Sequence, residues 1–164
     1  MRLILFQPEI AQNAGAAIRA AACFGAGVDI IEPCGFPADA RGLKRAAMDY
    51  GALAPPVLHA SWARFLDSPE RAGGRLVLLT TKAGAALWDF RFEPSDLLII
   101  GQESAGAPEE VRARVDAAIR IPIVAPARSL NAAAAGAIAL AEATRQISRM
   151  SDRDLDQTPP RLPV

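Results

Sequence analysis

The chain has 164 residues, 51% hydrophobic, 22% charged and only 5% aromatic, and its 18 Lys and Arg balance 18 Asp and Glu. That length suits one domain with a buried core, and the neutral balance excludes a protein that coats nucleic acid by bulk charge, so any nucleic-acid contact must be local. No run is long and apolar enough to span a membrane, and Cys23 and Cys34 lack zinc or redox spacing, which reads them as free thiols and leaves no metal site.

Leu3-Ile4-Leu5-Phe6 reads as a buried strand that runs directly into Gln7-Pro8-Glu9, too short for a secretory leader, so the chain is expected in the cytoplasm. Asn13, an effective N-cap, opens the first helix, which closes near Gly25. Inside it, Asn13-x-Gly15-x-x-x-Arg19 sets Arg19 one turn past Gly15 on the same face. With Ala20-Ala21-Ala22-Cys23-Phe24 around it, Arg19 either snorkels to solvent or serves an anion. The glycines of Phe24-Gly25-Ala26-Gly27 follow a helix and precede the strand Val28-Asp29-Ile30-Ile31, the reverse of a dinucleotide-binding turn, which argues against a Rossmann site.

Helices are expected over 39–47 and 61–66. The first carries Arg41, Lys44 and Arg45, the densest basic cluster outside the motifs, suited either to RNA phosphates or to a solvated face. His59 sits in the apolar run Val57-Leu58-His59-Ala60, away from every motif, and reads as structural. Further strands are expected at Leu76-Val77-Leu78-Leu79, Leu97-Leu98-Ile99-Ile100 and Ala118-Ile119-Arg120-Ile121, most of these runs being continuous and apolar, of the kind that parallel sheets bury on both faces.

The run at Leu97 leads into Gly101-Gln102-Glu103-Ser104-Ala105-Gly106, a Gly-x-Glu-x-x-Gly loop, and then into a helix over 108–115 with Pro108 at its first position. This is either a tight strand-to-helix turn or a ligand loop, since glycines admit close backbone approach. The next loop, Ile121-Pro122-Ile123-Val124-Ala125-Pro126-Ala127-Arg128-Ser129-Leu130-Asn131, leads into an alanine-rich helix over 130–149. Ser129 suits either a helix cap or a ligand contact. Asn131 suits either a ligand or a neighbouring backbone. Residues 151–164 have too little apolar surface to fold and read as a tail behind a single domain over 1–150. Alternation of strand, loop and helix makes the fold class α/β with a parallel, doubly wound sheet.

In their order, the three loops resemble the SpoU branch of the SPOUT methyltransferases, whose motifs are an Asn-x-Gly-x-x-x-Arg helix start, a Gly-x-Glu-x-x-Gly loop and a proline-containing Ser-Leu-Asn loop. The resemblance runs from Leu3 to about Gln146. It is nearest the short tRNA (cytidine/uridine-34-2'-O)-methyltransferases, with Ile30-Ile31-Glu32-Pro33-Cys34-Gly35-Phe36, Leu43-Lys44-Arg45-Ala46-Ala47-Met48-Asp49-Tyr50 and Leu79-Thr80-Thr81-Lys82 as further support. It implies a C-terminal deep trefoil knot, S-adenosylmethionine as cofactor with S-adenosylhomocysteine as product, tRNA as partner, and a homodimer with the active site between subunits. It further implies Arg19 as the catalytic residue and Leu79, Gly101, Ile121, Ser129 and Leu130 around the cofactor. Arg41, Lys44 and Arg45 are the RNA contacts expected with it. Ala141, where wobble-position members often carry an aromatic, and the run Ala132 to Ala135 depart from the pattern and bear on substrate choice. The alternatives are a 2'-O-methyltransferase for another tRNA position or for rRNA, and an RNA-binding protein that keeps the fold without catalysis.

Overall fold

Side chains alternate across a strand, and in β1 (Arg2–Phe6) both sides are buried: Leu3 and Leu5 enter one apolar cluster, Ile4 and Phe6 another. In the computed structural model, which describes residues 1–37, 45, 47, 50–71 and 73–148, β1 sits inside a parallel sheet. The other strands are β2 (Gly27–Ile31), β3 (Val57–His59), β4 (Leu76–Leu79), β5 (Ala85–Ala86), β6 (Leu97–Ile100) and β7 (Ala117–Arg120). Among the described residues the order is β3-β2-β1-β6-β4-β7-β5, every pair parallel. Parallel pairing needs crossovers that cover both faces, which explains the continuous apolar runs.

One face is covered by α1 (Ala11–Cys23) and α5 (Ala132–Ser148), which pack on each other. Helix α1 buries Ala14, Ala17, Ile18 and Ala21, one stripe at helical spacing. Helix α5 buries Ala133, Gly136, Ala139, Leu140 and Ala143. A Cβ on Gly136 would lie 2.8 Å from Ile100 Cδ1, so the glycine lets α5 settle on β6. The small-residue face of α5 is thus packed within the chain. On the other face, α3 (Trp62–Leu66) and α4 (Glu109–Arg112) contribute Trp62, Phe65 and Val111 to the cluster around Ile4, Phe6, Leu78 and Ile99. Helix α2 (Tyr50–Leu53) packs beside α1.

Buried Asp29 accepts from Arg2 Nε at 2.6 Å and Arg2 Nη2 at 3.1 Å, and its Oδ1 lies 2.8 Å from His59 Nε2. His59 also meets the Phe65 ring edge-on. The histidine therefore belongs to the core, as a buried hydrogen-bond partner of Asp29.

Several expected boundaries are corrected. Strands β3 and β5 were not anticipated: each is too short for a period, and β5 is two alanines. Strand β7 ends at Arg120 and leaves Ile121 to the loop. Helix α1 begins before Asn13, with extended Ile10 at its N-cap. Pro108 is the N-cap of α4, not its first helical residue, because its ψ of 170° is extended; α4 also ends at Arg112 rather than near 115. The helix expected over 39–47 falls mostly outside the described residues, of which Arg45 and Ala47 are helical; the expected tail over 151–164 lies outside them entirely. No helix among the described residues is long and apolar enough to cross a membrane.

Candidate active site

The loop after β6 owes its shape to its glycines. Gln102 and Gly106 exchange backbone hydrogen bonds of 3.0 and 2.9 Å, closing the loop on itself, with Gly106 at φ +72°. A Cβ at Gly101 would stand 2.3 Å from the Gly106 carbonyl carbon and 2.4 Å from Ala107 N, so only glycine lets the loop return past its origin. The Gly-x-Glu-x-x-Gly spacing thereby holds Glu103 out from the end of β6.

Glu103 is wired to the entry of α1. Its Oε2 accepts from Glu9 N at 2.8 Å and its Oε1 from Asn13 Nδ2 at 3.1 Å. Glu9 returns the exchange, accepting from Ser104 N and Ser104 Oγ, each at 2.7 Å. These bonds, the hydroxyl's first and the backbone N–H next, hold the Glu9 carboxyl below its ordinary pKa. Beside them Gln102 Nε2 donates to Gln7 Oε1 at 2.9 Å.

Asn13 and Asn131 complete the link to the third loop. Asn131 Nδ2 donates to Asn13 Oδ1 at 2.9 Å, while Asn131 Oδ1 accepts from Ala133 N at 2.9 Å and Ala134 N at 3.2 Å. Asn131 is therefore the side chain that caps α5. The capping role considered for Ser129 is corrected, because Asn131 stands next to the first helical residue. Asn13, expected to cap α1, lies in its first turn and spends both ends of its amide on the other loops. The path Glu103, Asn13, Asn131, α5 ties all three motifs into one unit.

These loops enclose a cleft of about 700 Å³ at the carboxyl ends of β4, β6 and β7, neighbours in the sheet. Ligands of open α/β sheets bind at such ends. Leu79, Gly101, Ile121, Ser129 and Leu130 all line it. Its walls are mostly apolar, with Thr80, Thr81 and Asn13 among the polar groups and Lys82, Arg112 and Arg128 as cations. Arg112 is engaged, donating to Glu109 Oε2 at 3.1 Å and to the Ala107 carbonyl at 2.6 Å.

Arg19 does not line this cleft. It is exposed on α1, its guanidinium carbon 5.0 Å from the centre of the Tyr50 ring on α2. Arg45 is exposed and helical, whereas Arg41 and Lys44 lie outside the described residues. Sequence reasoning left Glu103 and Asn13 without roles at the site. The signal was present: a carboxylate and an amide at fixed places in two loops need partners when those loops converge. Among the described residues no group of three or more His, Cys, Asp or Glu gathers to hold a metal ion.

A family model described as the SpoU rRNA Methylase family matches residues 1–141. The chain is 46% identical to a protein of Beijerinckia indica subsp. indica named tRNA (cytidine(34)-2'-O)-methyltransferase, over 91% of this chain and 93% of that one. A solved structure described as giving structural insights into the 2-OH methylation of C/U34 on tRNA aligns with a TM-score of 0.85 at 42% identity, covering 90% of this chain and 96% of that one. The SpoU methyltransferase AviRb of Streptomyces viridochromogenes, solved in complex with the cofactor AdoMet, aligns with a TM-score of 0.83 at 29% identity, over 92% of this chain and 61% of its own.

Proposed function

The chain belongs to the SpoU rRNA Methylase family, and from that premise we propose that it methylates the ribose 2'-hydroxyl of the wobble nucleotide, cytidine 34 or uridine 34 of tRNA, with S-adenosylmethionine as donor. The observation that carries this reading is the convergence of the three motif loops on one cleft, joined through Glu103, Asn13 and Asn131.

The residues present fit that cofactor. A volume of about 700 Å³ suits a nucleoside with an amino-acid arm, and mostly apolar walls with a few polar groups suit a ligand of that size. Leu79, Ile121 and Leu130 would pack against its apolar faces, with Gly101 and Ser129 beside them. When bound, the cofactor supplies an electrophilic methyl group on a sulfonium and becomes S-adenosylhomocysteine. The chain's own contribution is positioning: the loop network fixes the cleft walls, and a hydroxyl held in line with the methyl needs little further chemistry.

Arg19 is the residue assigned to the substrate. A guanidinium stays protonated and is no base, so it grips a tRNA phosphate, and that phosphate accepts or relays the proton of the 2'-hydroxyl. Since Arg19 is exposed and outside its own chain's cleft, the reading pairs two copies in a homodimer, one supplying the cleft and the other the arginine. Arg41, Lys44 and Arg45 contact tRNA phosphates in the same scheme. It also assigns a deep trefoil knot to the C-terminal portion, on the likeness of the loops to the family, a single catalytic domain over 1–150 followed by a tail, and the cytoplasm as the place of action.

The test is incubation with labelled S-adenosylmethionine and tRNA lacking the modification, followed by mapping of the labelled nucleotide. Label at nucleotide 34 is expected. Label at another tRNA position overturns the substrate; tRNA binding without any transfer overturns the activity.

A further inference from the structure

We propose that Tyr50 is a positioning residue for Arg19, its ring drawing the guanidinium into the place from which it meets the substrate. This rests on the reading above in which Arg19 grips a phosphate. Arg19 stands on the exposed side of α1, and the Arg19 guanidinium carbon lies 5.0 Å from the Tyr50 ring centre. That is within the range at which a cation is drawn to a ring face.

Tyr50 is itself held. It is half-buried at the start of α2, the helix packed beside α1, and its carbonyl accepts from Ala54 N at 3.0 Å. A tyrosine turns about few bonds, whereas an exposed arginine samples many rotamers, each of which must be given up when a ligand is gripped. A ring beside the guanidinium restricts that sampling beforehand, through the attraction of the cation to the ring. The segment that supplies Arg45 also supplies this ring, so the expected RNA-facing cluster and the tyrosine lie on one stretch of chain.

The experiment is a double-mutant cycle in the full chain with Tyr50→Leu, Tyr50→Phe and Arg19→Ala. It is read by single-turnover methyl transfer from saturating S-adenosylmethionine to unmodified tRNA and by calorimetric affinity for S-adenosylmethionine. Arg19→Ala is expected to lower transfer about 100-fold. Tyr50→Leu is expected to lower it about 3- to 10-fold, the size of a partly exposed cation–ring contact, with cofactor affinity within about twofold of the parent. Tyr50→Phe should restore transfer, and Tyr50→Leu should do nothing further in the Arg19→Ala background. Should Tyr50→Leu not fold, Tyr50→Gln takes its place in the cycle. Full activity of the ring-less variant while Arg19→Ala is crippled would overturn the role of Tyr50 alone, as would an equal loss with and without Arg19, or a loss in Tyr50→Phe. Near-normal turnover of Arg19→Ala would instead overturn the assignment of Arg19 and this inference with it.

Discussion

Replacing Asn131 separates the two tasks that its amide performs. Its oxygen accepts from Ala133 N at 2.9 Å and Ala134 N at 3.2 Å, and its nitrogen donates to Asn13 Oδ1 at 2.9 Å. Asn131→Ala removes both. Losing the cap costs about 1 kcal/mol, and losing an exposed neutral hydrogen bond, whose acceptor regains water, adds roughly 0.5 kcal/mol. At roughly 2–4 °C per kcal/mol for a domain of this size, the thermal midpoint should fall by about 3–6 °C. Asn131→Asp keeps an acceptor at the positive end of α5, where a negative charge is favourable, but sets two acceptors facing each other across the Asn13 contact. Its midpoint should fall by only about 1–2 °C. Both variants free the Ser129-Leu130 wall of the cleft from α1, so both should weaken S-adenosylmethionine binding, by about 5- to 10-fold or roughly 1 kcal/mol. Differential scanning fluorimetry and calorimetry measure the two effects. Equal midpoints for the two variants would refute the capping role, and parental cofactor affinity in Asn131→Asp would refute the link between loops.

Gly101→Ala forces a Cβ to within 2.3 Å of the Gly106 carbonyl carbon, an overpacking that should cost about 3 kcal/mol and abolish measurable cofactor binding. Gly106→Ala, whose Cβ meets nothing within 4 Å but whose φ is +72°, should cost only about 1–2 kcal/mol. Glu9 has its folded pKa depressed by Ser104 from an ordinary value of 4.5, so its bond contributes stability above that pH and loses it as pH falls through the folded value. Thermal melts from pH 6 to pH 3 should therefore decline less steeply in Ser104→Ala than in the parent, and identical slopes would contradict the pairing. Burial first, and then the nearby Glu32 carboxylate, push the Cys34 thiol up to about 11, whereas Cys23 is exposed. Iodoacetamide at pH 8 should label Cys23 well ahead of Cys34 in the folded protein, as read by mass spectrometry of peptides.

The sheet was legible because its strands are buried on both faces, so Leu3 to Phe6, Leu76 to Leu79 and Leu97 to Ile100 stand out as continuous apolar runs, and Val28 to Ile31 as one broken only by Asp29. Strand β5 was invisible: Ala85 and Ala86 carry no β preference and pair only because β7 lies beside them. The helix caps were less legible. Asn13 and Ser129 are good capping residues by type, but a residue's type does not reveal that Glu103, some 90 positions away, claims the Asn13 amide, or that Asn131 lies nearer the start of α5. The cleft-lining residues were reached through the likeness of the loops to a family, and their convergence follows from strand order, which short-range patterns do not encode. Arg19 was legible as an arginine in an apolar stretch, but its partner Tyr50 was not, since the packing of α2 on α1 is a tertiary fact.

The most direct test of the central claim uses synthetic anticodon stem-loops or full tRNAs in which a single 2'-hydroxyl is replaced by hydrogen. With labelled S-adenosylmethionine and the purified chain, a deoxyribose at nucleotide 34 should abolish methyl transfer, while a deoxyribose at either neighbouring nucleotide should leave it. Transfer that persists with 34-deoxyribose would contradict the account.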